Sequence, residues 1–193
     1  MYIYIIRHGE TEWNKKGLVQ GKTDIPLNET GIKQAERTSF LFNDQSFDAL
    51  ITSPLKRAIT TGNILTKNAT VSRKIIDDRI IEKCYGITEG WNGRKRYEVY
   101  PHGHAPQEES YKIVRKRMFY AIQEYAKEYT KNILVVSHGS AIAALIKELE
   151  PTLEKEFLKI ENLSLTIIDS KSLKLIAWNL DFNQAFDWFM RNK

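Results

Sequence analysis

The chain has 193 residues, 42% of them hydrophobic and 27% charged, with a formal net charge of +5 and an isoelectric point near 9.1. That length suits one domain, or one domain with a modest excursion, and can bury a sizeable core. No apolar run approaches the roughly 20 residues needed to cross a bilayer, and the lone Cys84 excludes an intramolecular disulfide.

Most of the Lys and Arg residues are interspersed with Glu and Asp. The two short clusters, Arg94-Lys95-Arg96 and Arg115-Lys116-Arg117, read as solvated faces of helices. The charge therefore argues for mild steering of an anionic substrate rather than for a nucleic-acid partner. The first strand has no Lys or Arg before it and does not resemble a signal peptide. With one cysteine and no membrane segment, a reducing, cytoplasmic setting is the expectation.

Tyr2-Ile3-Tyr4-Ile5-Ile6 is an apolar, β-branched strand that stops at Arg7-His8-Gly9-Glu10-Thr11. Ligands in α/β folds collect beyond the carboxyl ends of strands, and Gly9 is expected to ease the turn there. A polar loop follows, holding Trp13, Asn14, Gln20, Gly21 and Asp24-Ile25-Pro26-Leu27. A helix is expected from about Thr30, carrying Ile32, Ala35, Phe40 and Leu41. Phe47 to Thr52 reads as the second strand, and Ser53-Pro54 as the cap and first position of a helix running to about Thr66. Thr70 to Ile76 is a third strand.

Residues 77–108, rich in Gly and Pro, read as an irregular cap over the sheet edge with one short helix near Arg94 to Tyr100. Glu109 to Tyr129 is a long amphipathic helix with Val114, Met118, Ala121, Ile122 and Tyr125 on one face. Asn132 to Ser137 is another apolar strand, ending in His138-Gly139-Ser140 at the start of a helix. Leu163 to Ile168 and Leu173 to Trp178 close the pattern. Alternating strands and helices imply an α/β fold with a mostly parallel sheet, helices on both faces and a small cap insertion at about 83–108. The closing strand and the aromatic tail of Phe182, Phe186, Trp188 and Phe189 admit two readings, a homodimer contact or packing within the monomer.

Two strands each deliver a His-Gly pair at their exit, so neighbouring strands would bring His8 and His138 to one pocket. Without HExxH or paired cysteines, a metal site is the weaker reading. Arg7 and Arg57, the latter in the first turns after Ser53-Pro54, offer planar forks that match phosphate oxygens. Asn14 adds a neutral donor. These parts suit phosphoryl transfer to a histidine nitrogen, where catalysis is mostly positioning and electrostatics. Glu82, before the Gly-rich cap, is the candidate proton donor.

Arg7-His8-Gly9-Glu10-Thr11 with Trp13-Asn14 resembles the signature of the histidine phosphatase superfamily, the phosphoglycerate mutase-like proteins. In order, the similar blocks are Gln20-Gly21 with Asp24 to Leu27, Ser53-Pro54-Leu55-Lys56-Arg57-Ala58, Asp78 to Glu82 with Glu89-Gly90, Val135 to Gly139, and Asn162-Leu163-Ser164. The resemblance implies a three-layer α/β/α sandwich forming one histidine phosphatase domain over residues 1–193, with His8 as nucleophile and Glu82 as acid and base. His138, Arg7, Arg57, Asn14 and the Gly139 amide would hold the phosphoryl oxygens. Gln20, Gly21, Lys22, Thr23 and Trp91 are the substrate-binding candidates. No metal or organic cofactor is implied.

The segment after Glu89-Gly90 is shorter than in the glycolytic mutases. Pro106-Gln107-Glu108-Glu109-Ser110 resembles a Pro-Gly-Gly-Glu-Ser element of phosphatase-type members, departing at Gln107-Glu108. The favoured function is a metal-independent phosphomonoesterase acting on a small phosphorylated metabolite. The alternatives are a cofactor-dependent phosphoglycerate mutase and a non-catalytic phospho-ligand binder. For the leaving group, Trp91, Tyr97 and Tyr100 suggest an apolar or aromatic body. Lys22, Lys83, Arg94 and Arg96 suggest instead a second phosphate or carboxylate.

Overall fold

A computed structural model describes residues 1–101, 104–153 and 158–192. Its strands are β1 (Tyr2–Arg7), β2 (Ser46–Thr52), β3 (Thr70–Ile76), β4 (Ile133–Ser137), β5 (Leu165–Asp169) and β6 (Leu175–Leu180). They form one sheet in the order β3-β2-β4-β1-β5-β6. The first four run parallel, while β5 is antiparallel to both β1 and β6.

Side chains alternate across this sheet, as the period of two in a strand requires. Ile3, Ile5, Ile133 and Val135 enter one core, beneath α5 (Tyr111–Glu128) and α6 (Gly139–Leu149). Tyr4, Ile6, Leu134 and Val136 enter the other, with α2 (Glu29–Ser39), α3 (Lys56–Leu65) and α7 (Phe182–Arg191). A strand apolar on both sides must be covered on both sides. The three-layer α/β/α architecture follows from that requirement.

Several boundaries differ from the sequence expectation. A short helix, α1 (Glu12–Lys15), interrupts the first loop because Thr11 and Asn14 form a reciprocal capping box. α2 starts at Glu29 rather than Thr30, since the Asn28 side chain accepts the Gly31 N–H at 2.8 Å. Ile32 is exposed on it and Ala35 buried, while Phe40 and Leu41, expected on the same helix, fall in the 3-10 turn that follows, the first exposed and the second buried. α3 starts at Lys56 behind Leu55, so Ser53-Pro54 is not its cap; the Ser53 hydroxyl is engaged by His138 instead.

The cap region carries α4 (Gly93–Val99), close to the expected short helix. Residues 102–103 of that region lie outside the described residues. α5 opens at Tyr111 behind a Ser110 cap, because Glu109 is occupied with the Cys84 amide and Arg117. Gln107 sits at φ 65°, a left-handed conformation that costs a residue with a Cβ about 1–2 kcal/mol. The loop takes a shape that suits glycine with a glutamine in place.

The aromatic tail is mostly helix α7. Trp188 packs edge-on against Tyr2 and Tyr4, and Phe189 against Phe42, which accounts for them within the monomer. Phe186 stays about half exposed. Among the described residues no helix is long and apolar enough to cross a membrane.

Candidate active site

β1 and β4 are adjacent, with Arg7 opposite Ser137 in register, so their two His-Gly exits meet. The His8 and His138 rings lie 5.1 Å apart between centroids. Gly9 is needed there for close approach rather than for its turn: an added Cβ would stand 2.6 Å from the Gly31 carbonyl oxygen. His8 Nδ1 lies 2.7 Å from the Gly9 carbonyl oxygen, which can only accept. Nδ1 therefore carries the proton, and Nε2 of the neutral ring keeps a free lone pair. Burial, reinforced by Arg7 and Arg57, holds His8 well below the usual histidine range.

A cavity of about 330 Å³ opens beside His8, lined among others by Arg7, Asn14, Gln20, Gly21, Arg57, Glu82, Tyr85, Arg96, Gly139 and Ser140. Arg7 anchors through Nη1 on the Ile160 carbonyl at 2.5 Å, and its buried Nε has no acceptor among the described residues. Arg57 is wholly buried. Its Nη1 and Nη2 donate to the Thr23 and Gly21 carbonyls, each at 2.8 Å, and its Nε donates to His138 Nδ1 at 3.3 Å. Burial pulls the guanidinium down to about 10, with Glu82 opposing, so it stays charged at neutral pH.

Because Arg57 can only donate, His138 must accept at Nδ1 and donate from Nε2 to Ser53 Oγ, 2.7 Å away. Burial and then Arg57 keep that ring neutral as well. His138 does not line the cavity; it stands behind Arg57 and His8, with both nitrogens engaged.

His138 precedes α6, whose N-terminus faces the site. Glu82 receives the N–H groups of Lys83, Ser140 and Ala141 at 2.8–3.1 Å. The Gly139 amide, first in the helix, has no intrahelical acceptor and points the positive helix end at the cavity. Asn14 Oδ1 accepts from Thr11 N and Asn162 Nδ2, leaving its own NH2 for the cavity. Asn162 also donates to the His8 carbonyl.

Gln20 and Gly21 line the cavity, whereas Lys22, Thr23 and Trp91 do not. Thr23 and the Lys22 amide are bound by the Glu89 carboxylate, and Trp91 packs near Tyr100. The loop serves Arg57 through main-chain carbonyls. Gly21 allows this at φ 56°, where a Cβ would collide with Glu89. Ser53, Tyr85 and Ser140 join the site with no sequence signal for that role. Tyr85 Oη meets Ser140 Oγ at 2.6 Å beside the Glu82 carboxylate. Among the described residues no group of three or more His, Cys, Asp or Glu side chains is placed to hold a metal ion.

Residues 3–180 match the model of the histidine phosphatase superfamily (branch 1), and the chain belongs to that family. The uncharacterized phosphatase PhoE of Bacillus subtilis is 34% identical over 98% of each chain. A 2,3-bisphosphoglycerate-dependent phosphoglycerate mutase of Cytophaga hutchinsonii is 32% identical over 77% of this chain and 76% of its own. The structure of phosphoserine phosphatase from Entamoeba histolytica in complex with 3-phosphoglyceric acid aligns with a TM-score of 0.77 at 28% identity, covering 96% and 98% of the two chains. Phosphatase or mutase chemistry is the activity these relatives support.

Proposed function

We propose that this protein is a phosphomonoesterase that works through a phosphohistidine at His8. The observation that carries the reading is the Nδ1 hydrogen bond to the Gly9 carbonyl, which leaves Nε2 as the free base at the cavity wall. Nε2 attacks phosphorus, a P–N bond forms and the ester P–O bond breaks. Glu82 gives its proton to the departing oxygen. The same carboxylate then takes a proton from water as that water attacks phosphorus and the P–N bond breaks. Arg7, Arg57, Asn14 and the Gly139 amide hold the equatorial oxygens, so the charge of the transition state is met by fixed donors. His138 acts from behind, orienting Arg57.

The full-length match to PhoE and the short segment between Gly90 and α5 favour hydrolysis over transfer to a second substrate. The test is phosphate release from a panel of phosphomonoesters in EDTA, including 3-phosphoglycerate with and without 2,3-bisphosphoglycerate. Wild type releases phosphate and His8→Ala does not. Loss of activity in EDTA overturns the metal-independent route, and isomerisation without net release transfers the assignment to a mutase.

A further inference from the structure

A guanidinium has five N–H donors, and three of those on Arg57 are engaged, by His138 Nδ1 and by the Thr23 and Gly21 carbonyls. Two of these three anchors are main-chain oxygens of one loop, and they set the aim of the N–H groups left for the cavity. The other side of that loop is held by a single carboxylate from the cap. Glu89 Oε1 accepts the Lys22 N–H at 2.9 Å and the Tyr85 N–H at 3.1 Å. Its Oε2 accepts the Thr23 N–H at 2.8 Å and the Thr23 hydroxyl at 2.5 Å. Four donors fill the lone pairs of a carboxylate, and none of these four is a cation.

The Gly21 carbonyl and the Lys22 N–H belong to one peptide group. Arg57 donates to its oxygen while Glu89 receives its N–H. Opposite charges at the two ends of one amide polarise it in the same sense, so each bond strengthens the other. Glu89 is fixed in turn by its neighbours: the Gly90 N–H donates to the Val19 carbonyl at 2.7 Å, and the Val19 N–H to the Trp91 carbonyl at 2.9 Å. Burial lowers the Arg57 pKa, and Glu89 is one of the acids, after Glu82 and Asp24, whose charge opposes that fall.

We propose that Glu89 is a positioning residue for phosphoryl transfer: through the Gly21–Lys22 peptide and Thr23 it aims the Arg57 guanidinium at the phosphoryl oxygens. Glu89 does not line the cavity beside His8, so it acts without touching substrate. This rests on the phosphatase reading and adds to it a residue of the cap that governs a phosphate-holding group at a distance.

The experiment is a double-mutant cycle on hydrolysis of 4-nitrophenyl phosphate. Glu89→Gln keeps the shape of the side chain but turns N–H donors toward the loop amides. It is expected to lower kcat/KM by about tenfold or more, the scale of one charge-assisted hydrogen bond. Inhibition by vanadate, which takes the geometry of the transferring phosphoryl group, should weaken by a similar factor. Arg57→Lys has no fork to aim, so in that background Glu89→Gln should change kcat/KM by less than about threefold. An equal loss in both backgrounds, or no loss in wild type, overturns the proposal. If Glu89→Gln does not fold, Thr23→Val replaces it in the cycle; a loss that depends on Arg57 supports the proposal, and one that does not overturns it. If wild type hydrolyses no ester, the phosphatase reading itself fails. The aim of Arg57 is then read by calorimetric titration with inorganic phosphate: weaker binding to Glu89→Gln than to wild type supports the proposal, and equal binding overturns it.

Discussion

Ser53 shows how one atom serves two levels of the structure. Its hydroxyl accepts the Nε2–H of His138, which leaves Nδ1 facing Arg57. Ser53→Ala strands that buried donor, at an expected cost of about 1–3 kcal/mol. Urea unfolding of the variant measures the loss, and a midpoint matching wild type would mean that the imidazole has another acceptor. The sequence made His8, Arg7 and Arg57 legible because Arg7 and His8 sit at the carboxyl end of β1 and Arg57 in the first turn of the helix after β2, where an α/β sheet gathers its ligands. Ser53 was misread for a physical reason: Ser-Pro before a helix is itself a strong capping signal. What overrides it is the adjacency of β2 and β4, which no local pattern contains. Lys22 and Thr23 illustrate another limit, since their segment acts on Arg57 through backbone oxygens that any side chain would offer.

At the scale of elements, the cap is joined to the sheet through buried charge. Lys83 leaves the strand-side segment, Arg96 comes from α4, and both meet Glu108 at the approach to α5. All three side chains are largely buried, Lys83 at 1% exposure and Glu108 at 4%. Glu108→Gln leaves two cations facing one another without a carboxylate, and the expected loss is about 3–5 kcal/mol. Thermal unfolding checks this; a shift of only a degree or two would show that solvent reaches the cluster. Helix periodicity located α5 well, and the continuous apolar runs located β1 and β4. The direction of β5 was not readable, because it depends on how the chain returns after α6. α7 carries Phe182, Phe186 and Phe189 at helical spacing, and that spacing alone does not choose between a dimer contact and packing within the monomer.

Across the whole molecule, the two neutral histidines set a pH limit on the fold. Both are pushed well below the ordinary value of 6.5, chiefly by burial. As the pH falls below that value, the unfolded chain takes up protons that the native chain refuses. Stability therefore declines with acidification from about 6.5 downward, by about 1.4 kcal/mol per pH unit for each histidine. It is fully regained above that point. Denaturant unfolding between pH 5 and 7.5 measures the slope, and His138→Gln should lessen it by one histidine's share. An unchanged slope in that variant would show that carboxylates alone govern the acid limb.

The central place of β1 has a consequence in time. The first strand made by the ribosome is hydrogen-bonded on one side to β4 and on the other to β5, which are among the last to emerge. His8 is held by Asn162, and Arg7 by the Ile160 carbonyl. At translation rates of about 5–20 residues per second, His8 waits on the order of 10–30 s for the groups that fix it. An N-terminal fragment ending before Ile160 would carry the whole Arg-His-Gly signature and still lack the anchors that orient it. Under the proposed mechanism, competence would then appear only when the chain is nearly finished, so activity in a translation mixture would act as a clock for completed synthesis.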